Sequence, residues 1–483
     1  MNTNYIIYPF IGIFLLFLAI QSQFPAAITP DAAMHAEIVE AIGHQGFITT
    51  WEPYTSNSYT YPPLFHYIAF VLPLEPIDAV RALGIVLWLV MPIAMYFLVA
   101  TYDTVQRERR KRAALVAAFL VGLVPVFSNV FIYGEFPQLM SMILILVEWY
   151  LLRREKLTAA GAMVGLIALT HVFFVLVAGA LYVYYLWLHR TVKVRHVVMP
   201  ALVALPWSWA YIQIVKSVLA GTWENTRYNA TQPVFGFWQW QTIYDWLFSV
   251  HGLTAVLFGF AVYGLFALGV SDRKLRDESR TNRLRRDYSL QGMFVLCVLM
   301  TIFHVPFTQL KMLDLLALPA VMLAAIGLDT MSAKMLKTYC QNALILFVLI
   351  FLAVVQVQHF LHVREHWFNP EIAPSDELID AARWLKNYDD SFVRVFFYQA
   401  PAWSGVLSHK IPLDPDITHL EAFSSSYKEQ LAANAAIKET LKSGNEIDLT
   451  VIDNYDIQYI IAPIEFGVTL DLLYSNGVWG VYE

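Results

Sequence analysis

Charge is the first thing this sequence lacks. Only 14% of its 483 residues are Asp, Glu, Lys or Arg, against roughly 25% in soluble domains. A chain so short of charge, and 58% hydrophobic, does not read as a water-soluble globule. Cysteine is scarce as well. Cys297 and Cys340 each lie in or beside an apolar run, which excludes a disulfide framework and a thiolate metal site. There is no internal repeat, no long low-complexity tract, no P-loop, no dinucleotide fingerprint and no zinc spacing. The basic residues come in short blocks between apolar runs rather than in a nucleic-acid patch, so no nucleic-acid partner is expected. The net charge of -6 says little until the charges are assigned to sides.

What is abundant is apolar sequence. The mean hydropathy is +0.52, and runs of about 18 or more apolar residues recur, each long enough for a hydrocarbon core of about 30 Å. The chain reads as an integral protein of the cell (plasma) membrane. About eleven spans are expected, near residues 5–20, 79–102, 113–132, 137–152, 157–170, 172–188, 197–215, 246–270, 290–306, 308–328 and 340–360. The basic blocks set the sides. Twenty of the 32 Lys and Arg residues fall in five loops, the richest being Arg107–Arg112 and Arg273–Arg286, and the positive-inside rule places these loops in the cytoplasm. The first run lacks a basic n-region and reads as an uncleaved span. A signal peptide ending in the small residues of Gln21–Ala27 is the alternative. In either case the following segment emerges on the outer side. Pro62–Leu72 is apolar but too short to cross. As a span it would also put the Arg107–Arg112 block outside, so it reads as a helix lying at the interface.

Two further regions are expected outside. The loop Lys216–Asp245 is polar and rich in tryptophan. It contains the acceptor triplet Asn229-Ala230-Thr231, and Trp238, Trp240 and Trp246 suit sugar stacking and interfacial anchoring equally. The tail from Glu365 holds 19 of the 38 acids and reads as a small α/β domain. Ser375 caps a helix over Asp376–Tyr388 and a second helix covers Ser426–Lys442. Strands are expected at Val393–Tyr398, Gln458–Ala462 and Val478–Tyr482. The organisation expected is thus a membrane domain over 1–364, with a large first external loop at 22–78, and an extracytoplasmic α/β domain over 365–483.

The first external loop carries the densest chemistry. Asp31 lies a few residues beyond the first span, at the start of a helix that Gly43 and Gly46 close. The positive end of the helix dipole favours a carboxylate there. The bland alternative is a capping acid. Ala33, Ile38, Val39 and Ile42 share one side of this helix. His35 follows Asp31 by one turn and shares its face, whereas Glu37 points elsewhere. Glu135 stands in an outer turn, Y-G-E-F-P-Q, where an ionisable group at the rim of a bundle is a site candidate. His171 lies at the outer end of a helical hairpin. Lys311 sits just inside a span, at a cost of roughly 3 kcal/mol unless it snorkels or pairs, and Asp314 is a possible partner. Arg81 lies at the outer end of its span, as a ligand or an interfacial anchor.

An acid just after the first span, followed by Tyr61-Pro62-Pro63-Leu64-Phe65-His66-Tyr67, resembles the first external loop of the GT-C superfamily. These are polytopic glycosyltransferases that take sugars from polyprenyl-phosphate carriers. The resemblance implies a GT-C-like polytopic helical fold. It also implies transfer of a hexosyl or pentosyl unit, with inversion, from a polyprenyl- or dolichyl-phosphate donor to an external lipid, glycan or protein acceptor. In the family the acid matching Asp31 acts as base or holds a metal, so a divalent ion, Mg or Mn, is implied on Asp31, His35 and Glu135. The resemblance also makes Glu135 a second catalytic acid and gives His35, His171, Lys311, Arg81 and Tyr61 to substrate. Oligosaccharyltransferases carry a paired acidic motif where this chain has Gly134-Glu135. That departure weakens the metal and brings the chain nearer to the protein O-mannosyltransferase and aminoarabinose-transferase branches. The competing classes are a transporter or flippase of lipid-linked glycans, which leads one to expect ionisable residues near the midplane and paired repeats, and a catalytically silent envelope scaffold.

Overall fold

The computed structural model describes residues 30–46, 62–102, 107–132, 134–189, 192–209, 211–212, 253–274, 282–302, 309–335, 338–367, 374–391, 393–399, 404–413, 425–445 and 447–483, with Gly12 and Leu15. The expected first span, Tyr61 and the Trp-rich loop with its acceptor triplet lie outside the described residues. The chain divides into two compact units. The first comprises Met1–Pro25, Gly84–Trp207 and Gln232–Val363, and the second Ala26–Leu83, Ser208–Thr231 and Arg364–Glu483.

Helices dominate the chain up to Trp367. In chain order they are α1 (Pro30–Gln45), α2 (Leu64–Phe70), α3 (Pro76–Val99), α4 (Arg107–Leu123), α5 (Pro125–Ile132), α6 (Phe136–Arg153), α7 (Leu157–Ala168), α8 (Phe174–His189), α9 (Val194–Ala204), α10 (Ala255–Lys274), α11 (Asn282–Ile302), α12 (Gln309–Met335) and α13 (Thr338–Trp367). Of these, α1, α2, the first turns of α3 and the last turn of α13 lie in the second unit and the rest in the first. Among the described residues, four helices are long and apolar enough to cross a membrane: those over Pro76–Val99, Phe136–Arg153, Asp314–Ala333 and Gln341–Leu361. A fifth counts if α4 and α5, bent by 47° at Val124, form one span. Pro125 explains the break, since it cannot supply the backbone donor that a continuous helix needs. Five shorter apolar helices of 10–17 residues, including Leu157–Ala168 and Ala255–Leu268, stand where further spans are expected. The chain is an integral membrane protein with a predominantly helical fold.

Close backbone approach holds the first unit together. On α10 and α12, Gly264 and Gly327 face each other: a Cβ on Gly264 would stand 2.0 Å from the Leu323 carbonyl oxygen, and one on Gly327 2.2 Å from that of Phe260. Small residues at such crossings let apolar helices gain dispersion contact where burial from water supplies no drive. Polar ties supplement this packing. Arg112 on α4 donates to the buried Asp329 and, at 3.0 Å, to Gln341. Arg153 donates to Thr101 Oγ1 at 2.7 Å and lies 3.5 Å over the Tyr102 ring. Gln356 on α13 donates to Ser128 on α5.

The second unit includes the tail. Its elements are α14 (Asp376–Tyr388), β1 (Arg394–Phe397), α15 (Ser404–Ser408), β2 (Ile411–Pro412), α16 (Ser425–Ser443), α17 (Leu449–Asn454), β3 (Ile457–Pro463), β4 (Leu472–Ser475) and β5 (Trp479–Tyr482). The five strands form one sheet in the order β2-β1-β3-β5-β4. The β1 pairs with β2 and β3 are parallel, while β5 runs antiparallel to β3 and β4. Ser375 caps α14 as expected, its Oγ accepting from Leu378 N at 3.2 Å. Phe396, Ile437, Leu441, Ile460 and Tyr482 belong to one buried core.

Candidate functional site

The second unit holds Asp31. Helix α1 begins at Pro30, whose missing N–H suits a first helical turn, and ends at Gly46 in the left-handed conformation (φ 75°). Gly43 does not close it, contrary to expectation, but lies inside it. The burial also differs from the amphipathic expectation. Asp31 is exposed, yet every residue from Ala32 to Ile42 is buried. Helix α2 and the short α15 both pack on α1, and the helix is exposed only near its ends, at Asp31 and at Gly43 and His44. Glu37, which points away from Asp31, is fully buried rather than solvated.

His35, one turn from Asp31, is buried and meets a second histidine. Its Nδ1 lies 3.0 Å from Nε2 of His66 on α2, and the two rings tilt at 53° with centroids 5.1 Å apart. Burial pushes His66 down to about 3, because the charged ring is poorly solvated there. His66 is therefore neutral at physiological pH, and its Nε2 either donates to or accepts from His35. If it donates, Nδ1 of His35 accepts and the neutral His35 ring carries its proton on Nε2. His66 lies inside the Tyr61–Tyr67 motif, but no spacing rule pairs it with His35.

Arg81, near the start of α3, stands 3.9 Å from Asp78 one turn earlier. Both are at least a quarter exposed, so this contact contributes little to stability.

In the first unit, the sequence Y-G-E-F-P-Q builds a sharp corner between α5 and α6. Gly134 takes a positive φ of 74°. Glu135 N–H donates to Val130 O at 3.0 Å, and Glu135 O accepts from Leu139 N at 3.0 Å to open α6. The Glu135 side chain caps no backbone donor there and is half-buried. The Phe136 ring lies where a Cβ on Gly84 would meet it at 2.6 Å, so this corner sits tightly against α3. Three residues on, the buried Gln138 donates through Nε2 to Asp314 Oδ2 at 2.8 Å. Asp314 thus has a partner that the sequence did not indicate. Lys311 lies in the first turn of α12, with its side chain outside the described part.

His171 follows α7 in the hairpin before α8, and the Phe173 N–H donates to its Nδ1 at 3.3 Å. An accepting Nδ1 puts the ring proton on Nε2, so His171 presents one outward N–H donor. Among the described residues, no group of three or more His, Cys, Asp or Glu is gathered in a way that holds a metal ion.

No family model and no curated protein sequence matches the chain. Solved structures do match, over nearly its full length. Apo ArnT from Cupriavidus metallidurans superposes with a TM-score of 0.57 at 13% identity, covering 98% of this chain and 97% of that one. The same protein bound to undecaprenyl phosphate gives a TM-score of 0.52 at 13% identity, with 98% of each chain covered. The oligosaccharyltransferase of Archaeoglobus fulgidus, tethered to an acceptor peptide with an NVT sequon, gives 0.56 at 13% identity, covering 96% of this chain and 70% of that one. The chain has the GT-C fold. At 13% identity the likeness is one of fold, so the residues above, rather than the neighbours, must carry any reading of GT-C chemistry in this chain.

Proposed function

We propose that this protein is a membrane glycosyltransferase that moves a sugar from a polyprenyl-phosphate carrier to an extracytoplasmic acceptor. The observation that carries the reading is Asp31: an exposed acid on the first turn of a helix whose next eleven residues are buried. The positive end of a helix favours the ionised form of a carboxylate, which is the form that can act as a general base. The GT-C fold supports the reading, and so does the undecaprenyl phosphate bound by the ArnT neighbour.

The chemistry follows from the groups present. The acceptor's nucleophilic oxygen or nitrogen attacks C1 of the donor sugar from the face opposite the phosphate. Asp31 takes the proton that the nucleophile loses. The C1–O bond to phosphate breaks, and the polyprenyl phosphate leaves with the electron pair, so configuration at C1 inverts. His35, paired with neutral His66, donates to phosphate oxygens, and Arg81 adds a cation for the same anion. Donors aimed at a departing phosphate act where negative charge develops, which is where electrostatic stabilisation is worth most.

Purified protein incubated with undecaprenyl-phosphate-linked mannose or arabinose, and with a membrane extract as acceptor, should release undecaprenyl phosphate and label the acceptor. Movement of the intact lipid-linked sugar between leaflets of a vesicle, with no release of undecaprenyl phosphate, would instead assign it as a flippase.

A further inference from the structure

His409 lies far from the first loop in sequence, in the turn after α15, yet both of its ring nitrogens face carboxylates. Nδ1 stands 2.9 Å from Glu40 Oε1 on α1, and Nε2 stands 3.5 Å from Glu75 Oε2 at the start of α3. Lys386 on α14 completes the chain of charges, its Nζ 2.9 Å from the same Glu75 oxygen. That hydrogen bond holds the Glu75 carboxyl below the usual range, against a smaller opposing effect of partial burial. Glu40 is almost wholly buried, so its carboxylate depends on a protein partner rather than on water.

The backbone at His409 is held against its own preference. Its φ is 55°, a left-handed conformation that a residue with a Cβ adopts at a cost. The neighbouring residue shows what maintains it. Lys410 is buried, and its Nζ donates to Asp389 O at 2.6 Å, to Ser391 O at 2.6 Å and to Asp389 Oδ2 at 3.0 Å. With Lys410 pinned and β2 beginning at the next residue, the chain has little freedom to turn the imidazole elsewhere.

Glu40 follows Asp31 by nine residues. At 3.6 residues per turn that is two and a half turns, which puts the two acids on opposite faces of α1. A grip on Glu40 therefore holds the helix from the side opposite Asp31.

We propose that His409 is a positioning residue: by bridging Glu40 and Glu75 it fixes the rotation of α1 about its axis, and hence where Asp31 and His35 point. Its catalytic consequence rests on the glycosyltransferase reading above, but the grip itself does not. His409→Ala removes both ion-pair contacts. His409→Asn keeps one amide N–H near the position of Nδ1 and tolerates the left-handed backbone. Glu40→Gln tests the other end of the bridge.

The measurement is amide hydrogen exchange on the full-length protein in nanodiscs, alongside the rate of undecaprenyl phosphate release from the lipid-linked sugar. In His409→Ala, exchange across residues 30–45 should quicken at least tenfold while strands β1, β3 and β5 keep wild-type protection. The release rate should fall about tenfold at unchanged donor KM, and His409→Asn should recover most of both. Should His409→Ala fold poorly, Glu40→Gln gives the same comparison and should loosen the same segment. Wild-type exchange over 30–45 in both variants would overturn the proposal. The two readings fail separately. Asp31→Asn turning over normally while His409→Ala loosens α1 defeats the catalytic assignment and leaves the grip standing. A silent Asp31→Asn with α1 unmoved in His409→Ala does the reverse.

Discussion

Nδ1 of His35 and Nε2 of His66 stand 3.0 Å apart, both rings buried. Between two imidazoles at this distance one nitrogen must donate and the other accept. Because burial pushes His66 down to about 3, the pair also carries a pH signature. The unfolded chain protonates this histidine below its ordinary value near 6.5, whereas the folded chain does not until about 3. Between those limits the unfolded state binds more protons, so stability falls as pH drops. The thermal midpoint of the wild type should decline from pH 7.5 to pH 5 more steeply than that of His66→Phe, which fills the same apolar site without a titratable ring. Parallel declines would show that His66 already takes up its proton in the folded state.

Lys311 and Asp314 lie three residues apart at the start of α12, and the carboxylate has a donor of its own in Gln138. Lys311 is thus not needed to satisfy Asp314. Lys311→Ala should weaken undecaprenyl phosphate binding about tenfold or more in a titration, while the protein stays monodisperse in detergent. Gln138→Leu, by contrast, removes the donor from Asp314 and should cost about 1–3 kcal/mol of stability. If Lys311→Ala binds undecaprenyl phosphate as the wild type does, the lysine is structural.

Asp389 and Lys410 give the tail a different dependence on pH. Partial burial raises the Asp389 carboxyl, but hydrogen bonds from Ser391, Lys410 and Tyr459 outweigh it and hold the group well below the carboxylate range. A depressed folded value means that its contribution is fully present above the ordinary aspartate range, and is lost as pH falls through the folded value. Asp389→Asn keeps the two carbonyl acceptors on Lys410 but removes the anion, and should cost about 1–3 kcal/mol at pH 7. Denaturant unfolding followed by the tail's tryptophan fluorescence would measure it. A variant as stable as the wild type at pH 7 would mean that the carbonyls alone suffice for Lys410.

Local rules carried much of the fold. The helix over Asp376–Tyr388 was legible because its cap, Ser375, and its apolar spacing lie within one window, and the helix falls on those residues. Helices α3 to α13 were legible because lipid demands long apolar runs. Strands β2 and β4 were not, since one has two residues, the other is largely exposed, and both exist through pairing with distant partners. The same limit applied to the candidate site. Asp31, His35 and Glu135 stood out by type and place, but the His35–His66 contact and the Glu40–His409–Glu75 bridge join segments that no periodicity connects. The unbroken burial of Ala32–Ile42 was not legible either, because it comes from α2 and α15 packing on α1.

The proposed function turns on Asp31. It is exposed at the first turn of α1, where the helix dipole favours the ionised form, and His35 lies one turn away on the same face. Asp31→Asn keeps the side-chain volume and an oxygen able to accept a backbone hydrogen bond, but it cannot take a proton from an attacking nucleophile. A lost general base costs about 10²–10⁴-fold in rate, whereas a lost helix-start acid costs only about 1 kcal/mol of stability. The two roles therefore separate in one experiment. Wild type and Asp31→Asn, compared at equal folded concentration, should melt within a few degrees of each other. The variant should release undecaprenyl phosphate from the lipid-linked sugar at least a hundredfold more slowly. Undiminished release would leave Asp31 a capping acid and pass the base to Glu135, with Glu135→Gln as the next variant to assay.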